Sequence, residues 1–318
     1  MSSRKGTVLR SYGPDQELKA EEIELVAGPG EALVEMRFAA VTQHDRSVLT
    51  GQQPSQPFVP GSEGAGLVVS SSSLEPGTPV VIRGEGVGLT RSGLWGRYAV
   101  VPDAAVHRLP SSLEPATALA LVSSALTAHT AVRRVGRVLE GETVVVTGIT
   151  GLIGRLCAAA ARAAGAAKVI GLARVGEPVD AVTALVDQIV RVDELGQVGR
   201  ELPWCDAAID TVGGPVISGV LGHITPGGRV AVLGYGAGAF TTIDLHQLIG
   251  RDLRVLPVNV QRTALEPDTV FQALTDIAPA QLRPDVELLP ADRVGDALDR
   301  LALGATHRQL LLDLTTLN

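Results

Sequence analysis

The chain has 318 residues, 45% hydrophobic and 19% charged, and a net charge of −7. That length asks for two domains with separate cores, and that balance excludes a disordered chain. No basic cluster offers a nucleic-acid surface, and Cys157 and Cys205, with no C-x-x-C, exclude a disulfide framework and a cysteine zinc site.

In chain order, residues 7–10, 21–26 and 31–41 read as short strands around Gly-Pro turns, Gly28-Pro29-Gly30 being the clearest. Further strands are predicted at 67–69, 80–82 and 95–102. Many short strands with turns at this spacing predict a small, barrel-like β domain. From Glu114 the pattern is helical through Val132, with Arg133 and Arg134 near its end, where cations suit the helix dipole. The apolar region 116–132 is broken by Ser, Thr and His, so no membrane span is expected. The N-terminal MSSRKGTVLRSYG lacks the apolar core of a signal peptide, and the expected location is the cytoplasm.

The stretch from Thr143 to Arg174 organises the whole. A β-branched run at 143–147 reads as a strand buried on both faces. Gly148, Gly151 and Gly154 follow at G-x-x-G-x-x-G spacing, then a helix at 155–164 and a second strand at 168–172. Strand, glycine turn, helix and strand in this order form the context of a dinucleotide fingerprint. The glycines let the backbone approach a pyrophosphate, whose charge sits on the N–H groups of the following helix, including those of Leu152 and Ile153. The alternative is a purely structural turn.

The end of the second strand bears on the cofactor. Ala173 and Arg174 close it, and no acidic residue follows before Glu177. A carboxylate there would accept from a ribose 2′-hydroxyl and repel a 2′-phosphate, whereas a guanidinium binds the phosphate by two charge-assisted bonds. This favours NADPH, the alternative being a solvated loop arginine. Strands are predicted beyond it at 188–192, 206–211, 229–233 and 253–258, with turns such as Pro226-Gly227-Gly228 between them. The expected fold class is α/β, with a doubly wound parallel sheet beside the β-rich domain. Residues 267–278 and 291–303 look helical, and 309–314 forms a last strand able to return to the β domain.

Taken together, PFVPGSEGAGLV, LPSSLEPATALAL…LTAHTAV, the glycine motif, DAAIDTVGG and L-x-x-ITPGGRVAVLG resemble the medium-chain dehydrogenase/reductase superfamily, in its zinc-independent, quinone-oxidoreductase-like branch. The resemblance covers nearly the whole chain. It implies a GroES-like catalytic domain at 1–121, a Rossmann NADP-binding domain at 122–258, a return to the catalytic domain at 259–318, and a cofactor in the cleft. Zinc alcohol dehydrogenases of the superfamily carry a Cys where this chain has Thr42 and a His where it has Ser62, although Asp45 and Glu63 remain. Without the Cys and His, the remaining carboxylates cannot hold zinc, and 83–93 is too short and cysteine-free for a structural-zinc lobe, so no metal is expected. The Tyr of many enoyl-thioester reductases is replaced by Gln53, which weakens the case for an acyl-thioester substrate.

By the same resemblance, Gln43, His44 and Asp45 sit in a loop lining the nicotinamide and substrate cleft. His44 is a candidate proton donor or carbonyl partner; otherwise it orients Asp45 or faces water. Asp45 is expected to fix the loop. Thr127 matches a family threonine near the cofactor, the alternative being an ordinary helix hydroxyl, and His129 is expected to be buried and satisfied. Tyr235, after the Gly234 turn, is placed beside the nicotinamide ribose or the substrate, and Asn259 is a candidate for the carboxamide.

The reading is an NADPH-dependent, zinc-free oxidoreductase reducing an activated C=C bond of a small apolar enone or quinone. Two alternatives stay open: a pathway enzyme of this fold catalysing cyclisation or another step without net redox, and a non-enzymatic NADPH-binding protein. The last Rossmann strand, from Leu253 to Val258, is expected at a sheet edge and, as in relatives of this branch, to pair with its mate in a homodimer.

Overall fold

The structure is a computed structural model and describes residues 2–14, 17–51, 57–193, 197–198, 201–260, 266, 268–304 and 308–317. The chain forms two compact units, Met1–Leu121 with Arg283–Asn318, and Val122–Leu282.

The first unit opens with an antiparallel hairpin, β1 (Ser3–Arg10) on β2 (Lys19–Val26). Then come β3 (Glu31–Val41), a short helix α1 (Gln43–Thr50), β4 (Glu63–Ser70), β5 (Pro79–Arg83), β6 (Tyr98–Pro102) and β7 (Val106–Arg108). β3 is the central strand, antiparallel to both β4 and β6. Its inward residues Val34 and Met36 pack with Ile82, Leu94 and Trp95 in the core. The strand expected from residue 95 begins only at Tyr98. The backbone N–H groups of Gly93, Leu94 and Trp95 are already bonded to the carbonyls of Val59, Gly61 and Pro60. Trp95 is fully buried and donates its indole N–H to the carbonyl of Ala40 at 3.1 Å.

The helix α2 (Pro115–His129) runs across the division between the units and continues as a π-helical turn at Thr130–Val135. It is long and apolar enough to cross a bilayer by composition, and most of it is buried in protein. The second unit then alternates β8 (Thr143–Val146), α3 (Leu152–Ala163), β9 (Lys168–Arg174), β10 (Gln188–Val192), β11 (Cys205–Asp210), α4 (Val216–Leu221), β12 (Ile224–Val232), α5 (Leu245–Gly250), β13 (Arg254–Pro257) and α6 (Thr269–Ile277). The six strands are parallel in the order β10-β9-β8-β11-β12-β13, the doubly wound arrangement expected. β8 and β11 are buried on both faces, as the apolar runs imply. The turn expected at Pro226-Gly227-Gly228 is an irregularity inside β12, where the register with β11 shifts between Cys205 and Ala207.

After α6 the chain returns to the first unit with β14 (Val286–Pro290), α7 (Val294–Ala302) and β15 (Gln309–Asp313). β15 pairs antiparallel with β3 and parallel with β14, completing a sheet of order β14-β15-β3-β4-β5-β7. The return therefore comes at residue 283 and not at 259, the boundary that the family resemblance implies. Helix α6 lies between those positions and stays in the second unit. It packs on α3, buries Val270, Ala273, Leu274 and Ile277, and bonds Asp276 to the π-helical turn.

Candidate functional site

The crevice of the parallel sheet opens where the strand order reverses, between β9 and β11 on either side of β8. Thr147, fully buried after β8, is bonded into β11 from both directions. Its hydroxyl donates to Asp210 Oδ1 at 2.7 Å and accepts from the Thr211 N–H at 2.9 Å, while its carbonyl accepts from the Thr211 hydroxyl at 2.8 Å. Asp210 also accepts from the Gly213 N–H at 2.8 Å. Burial pushes the Asp210 carboxyl above the usual range, against the Thr147 hydroxyl and the N–H groups of Gly213 and Val212. This buried knot fixes the floor under the glycine turn.

The three glycines have three different reasons. Gly148 has φ +60°, and a Cβ there would stand 2.6 Å from both Thr211 and Val212. Gly154 lies under the turn, where a Cβ would meet the Gly148 carbonyl oxygen at 2.2 Å, so it permits close packing of α3. Gly151 has an extended backbone at the N-cap of α3, and a Cβ would meet only Gly148 O, at 3.4 Å. It therefore faces the open crevice. Its missing side chain leaves the N–H groups of the first turn of α3 approachable.

This crevice has a volume of about 710 Å³ and is lined by Gly148, Gly151, Leu152, Ile153, Gly154, Ala173 and Arg174 among the expected residues. It is also lined by Thr150, Glu177, Val192, Asp193, Thr211, Val212, Gly236 and Ala237, which sequence reasoning did not single out as site residues. Glu177 corrects the reading of the strand end. No acid lies within β9 or between it and Glu177 in sequence, yet the turn after β9 folds Glu177 back against Arg174. Its carboxylate accepts from Arg174 Nε at 2.7 Å, Arg174 Nη2 at 2.6 Å and the Thr150 hydroxyl at 2.9 Å. Burial pushes the Glu177 carboxyl up, but these donors outweigh it and hold it below the usual range.

In the first unit, Thr42 caps α1 and forms a capping box with Asp45, so 43–45 is helical and not the loop expected. Asp45 is buried and accepts from the N–H and hydroxyl of Thr42, at 2.9 and 2.5 Å, and from the N–H and hydroxyl of Ser62, both at 2.9 Å. Glu63 pairs with Arg83 at 2.6 Å. Among the described residues, no group of three or more His, Cys, Asp or Glu is placed to hold a metal ion.

Comparison with known proteins agrees with this architecture. A family model described as an alcohol dehydrogenase GroES-like domain matches residues 28–111, and one described as a zinc-binding dehydrogenase matches residues 153–278. The chain is 30% identical over 237 residues to a zinc-type alcohol dehydrogenase-like protein of Schizosaccharomyces pombe, covering 72% of this chain and 70% of that protein. It is 31% identical over 243 residues to the acrylyl-CoA reductase AcuI of Ruegeria pomeroyi, covering 72% and 73%. The chain belongs to the medium-chain dehydrogenase/reductase superfamily. Further relatives named quinone oxidoreductases assign it to the quinone-oxidoreductase-like branch of that oxidoreductase superfamily. The crystal structure of AibC superposes with a TM-score of 0.75 at 25% identity, covering 97% of this chain and 95% of that one.

The other residues that the superfamily resemblance singled out are placed as follows. Gly234 is held against the residue after β11, where a Cβ would stand 1.8 Å from the Thr211 carbonyl oxygen. Tyr235 beside it is 77% exposed and does not line the crevice, although Gly236 and Ala237 do. Asn259 is exposed beyond the end of β13 and also lies outside the lining. Thr127 donates to the Ser123 carbonyl one turn back at 2.9 Å. Gln43 is engaged elsewhere, donating its amide to the Leu301 carbonyl near the C-terminal end of α7 at 2.7 Å. His44 is exposed on α1. His129 is buried, with Nδ1 3.3 Å from Asp276 Oδ2. Gln53 lies outside the described residues.

Proposed function

We propose that this protein is an NADPH-dependent, zinc-free oxidoreductase that reduces the activated C=C bond of a small, apolar α,β-unsaturated carbonyl compound or quinone. The observation that carries the reading is the crevice at Gly151. It sits at the switch point of a parallel sheet, its backbone is open to a ligand, and a helix N-terminus points at it. A dinucleotide pyrophosphate fits such a cradle. A cofactor held there would supply hydride from its nicotinamide ring.

The chain's own residues then divide the work. The N–H groups of Leu152, Ile153 and Gly154 would receive the pyrophosphate and Arg174 would offer a guanidinium to a 2′-phosphate, while the knot of Thr147, Asp210 and Thr211 keeps the crevice shaped. Thr42 and Ser62 occupy the positions of zinc ligands in alcohol dehydrogenases and both bond Asp45, which supports a zinc-free site. An alkene already conjugated to a carbonyl needs no Lewis acid, only hydrogen-bond donors for the developing enolate. The names of the relatives, quinone oxidoreductase-like and acrylyl-CoA reductase, support reduction of an activated C=C bond or quinone, and the first supports the small apolar substrate. We further propose that the protein is a homodimer through the edge strand β13.

Substrate-dependent NADPH oxidation across a panel of enones and quinones tests the reading. Product formation without net NADPH consumption would make the protein a non-redox enzyme instead. Tight NADPH binding with no turnover on any member would favour a binding protein.

A further inference from the structure

At the mouth of the crevice, the ion pair between Arg174 and Glu177 does little for folding. The Arg174 side chain is 76% exposed and the two residues are only three apart. Yet the local backbone is built to keep the pair. Gly176, at φ +85°, reverses the chain, and Arg191 Nη1 donates to the carbonyls of both Arg174 and Glu177 at 2.9 Å. The Glu177 side chain is thereby turned inward, 23% exposed, onto three kinds of donor: the Thr150 hydroxyl in the glycine turn, the Arg174 guanidinium, and the Arg174 backbone N–H at 3.3 Å.

A hydroxyl, a guanidinium and a backbone N–H converging on one point form the donor set of a phosphate subsite. Here a carboxylate of the chain fills it. We infer that Glu177 is an internal anion occupying the 2′-phosphate subsite of the crevice, and that its displacement sets how strongly nucleotide binding depends on a 2′-phosphate. The inference rests on the reading of this crevice as a nicotinamide-nucleotide site. Two anions cannot share the same donors, so a 2′-phosphate must push Glu177 aside. A ribose 2′-hydroxyl instead donates to Glu177 where it stands. Glu177 is thus a specificity-determining residue, and Arg174 alone does not fix the preference.

The experiment is a binding titration by calorimetry, without turnover, using two ligand pairs that differ only in the 2′-phosphate. These are NADPH against NADH, and adenosine 2′,5′-bisphosphate against adenosine 5′-phosphate. In Glu177→Gln, both 2′-phosphorylated ligands bind about tenfold more tightly, while the other two change less than about threefold, as expected for removing one competing charge. Glu177→Ala, which cannot hold Thr150 and Arg174 at all, shifts the ratio the same way. The double variant Arg174→Ala/Glu177→Gln loses the gain. Unchanged ratios in both Glu177 variants, or equal tightening of all four ligands, overturn the inference. A wild type that prefers NADH but swings toward NADPH in Glu177→Gln refutes the cofactor assigned above and upholds the role of Glu177. A folded wild type that binds none of the four refutes both.

Discussion

The two glycines of the turn that differ most in their surroundings give the sharpest test of where the cofactor sits. At Gly151, φ is −77° and ψ is 161°, a region that valine favours, and an added Cβ stands 3.4 Å from its nearest neighbour. The fold has room for it. Replacing an N-cap glycine by a β-branched residue costs about 1 kcal/mol, so Gly151→Val melts within a few degrees of the wild type. The branched side chain then stands between the first turn of α3 and the pyrophosphate. Losing even one charge-assisted contact of about 2–3 kcal/mol weakens NADPH binding by roughly a hundredfold. At Gly154 the balance reverses. A Cβ would lie 2.2 Å from the Gly148 carbonyl oxygen and 2.9 Å from Ile149 Cα, backbone atoms that cannot move aside independently. Gly154→Val is therefore overpacked by about 1–3 kcal/mol or more and shows a lowered Tm. Fluorescence titration with NADPH and a thermal melt on each variant separate the two effects. Wild-type NADPH affinity in a folded Gly151→Val, or an equal loss of Tm in both variants, refutes the assignment of this turn.

The remaining expectations are simpler. Dialysis against a strong chelator leaves turnover unchanged, because the zinc-ligand positions read Thr42 and Ser62; stoichiometric zinc lost together with activity contradicts this. Asp276→Asn removes a charge that is 2% exposed and bonded by Arg133 at 2.7 and 3.0 Å, costing about 3 kcal/mol at neutral pH by denaturation. Burial raises the Asp276 pKa, but its bonds to His129, Arg133 and Gln272 lower it further, so its contribution is present above the unfolded value and lost as pH falls through the depressed folded one. The difference between wild type and Asp276→Asn should shrink over that acid range; a constant difference contradicts the ion pair. Light scattering should give twice the 32.9 kDa chain mass, falling toward the monomer in Val255→Pro; a monomeric wild type rejects the β13 interface.

Much of the fold was legible because buried strands and helices advertise themselves by run and period. The strands at 31–41 and 188–192 stand where the pattern put them, and the stretch 143–174 folds as strand, turn, helix and strand. Elements without a period were missed. Helices α4 and α5 have six residues each, too few for two turns of an apolar stripe, and β14 is half exposed. The allegiance of α6 was hidden for another reason. It packs on α3 and is bonded through Asp276 to Arg133, 143 residues away, contacts that no local pattern reveals. Helix α1 did leave a signal, the Thr42-x-x-Asp45 capping box.

In the site, residue types were legible but the commitments of individual side chains were not. Gln43 looked available for chemistry, yet its amide caps a helix 258 residues away. The strand end looked free of acid, yet Gly176 returns Glu177 to it. The same distinction changes the meaning of Thr42 and Ser62. Read as letters, they are a thiol and an imidazole lost, which argues only that zinc is not bound. In the fold, each hydroxyl donates to the buried Asp45 beside a backbone N–H of the same residue, so the carboxylate has four donors from two segments. A buried carboxylate left short of donors is costly. The two hydroxyls are therefore parts of a completed structure that ties α1 to the start of β4. Putting Cys and His back would weaken that tie before any metal arrived, so the substitutions hold each other in place through Asp45.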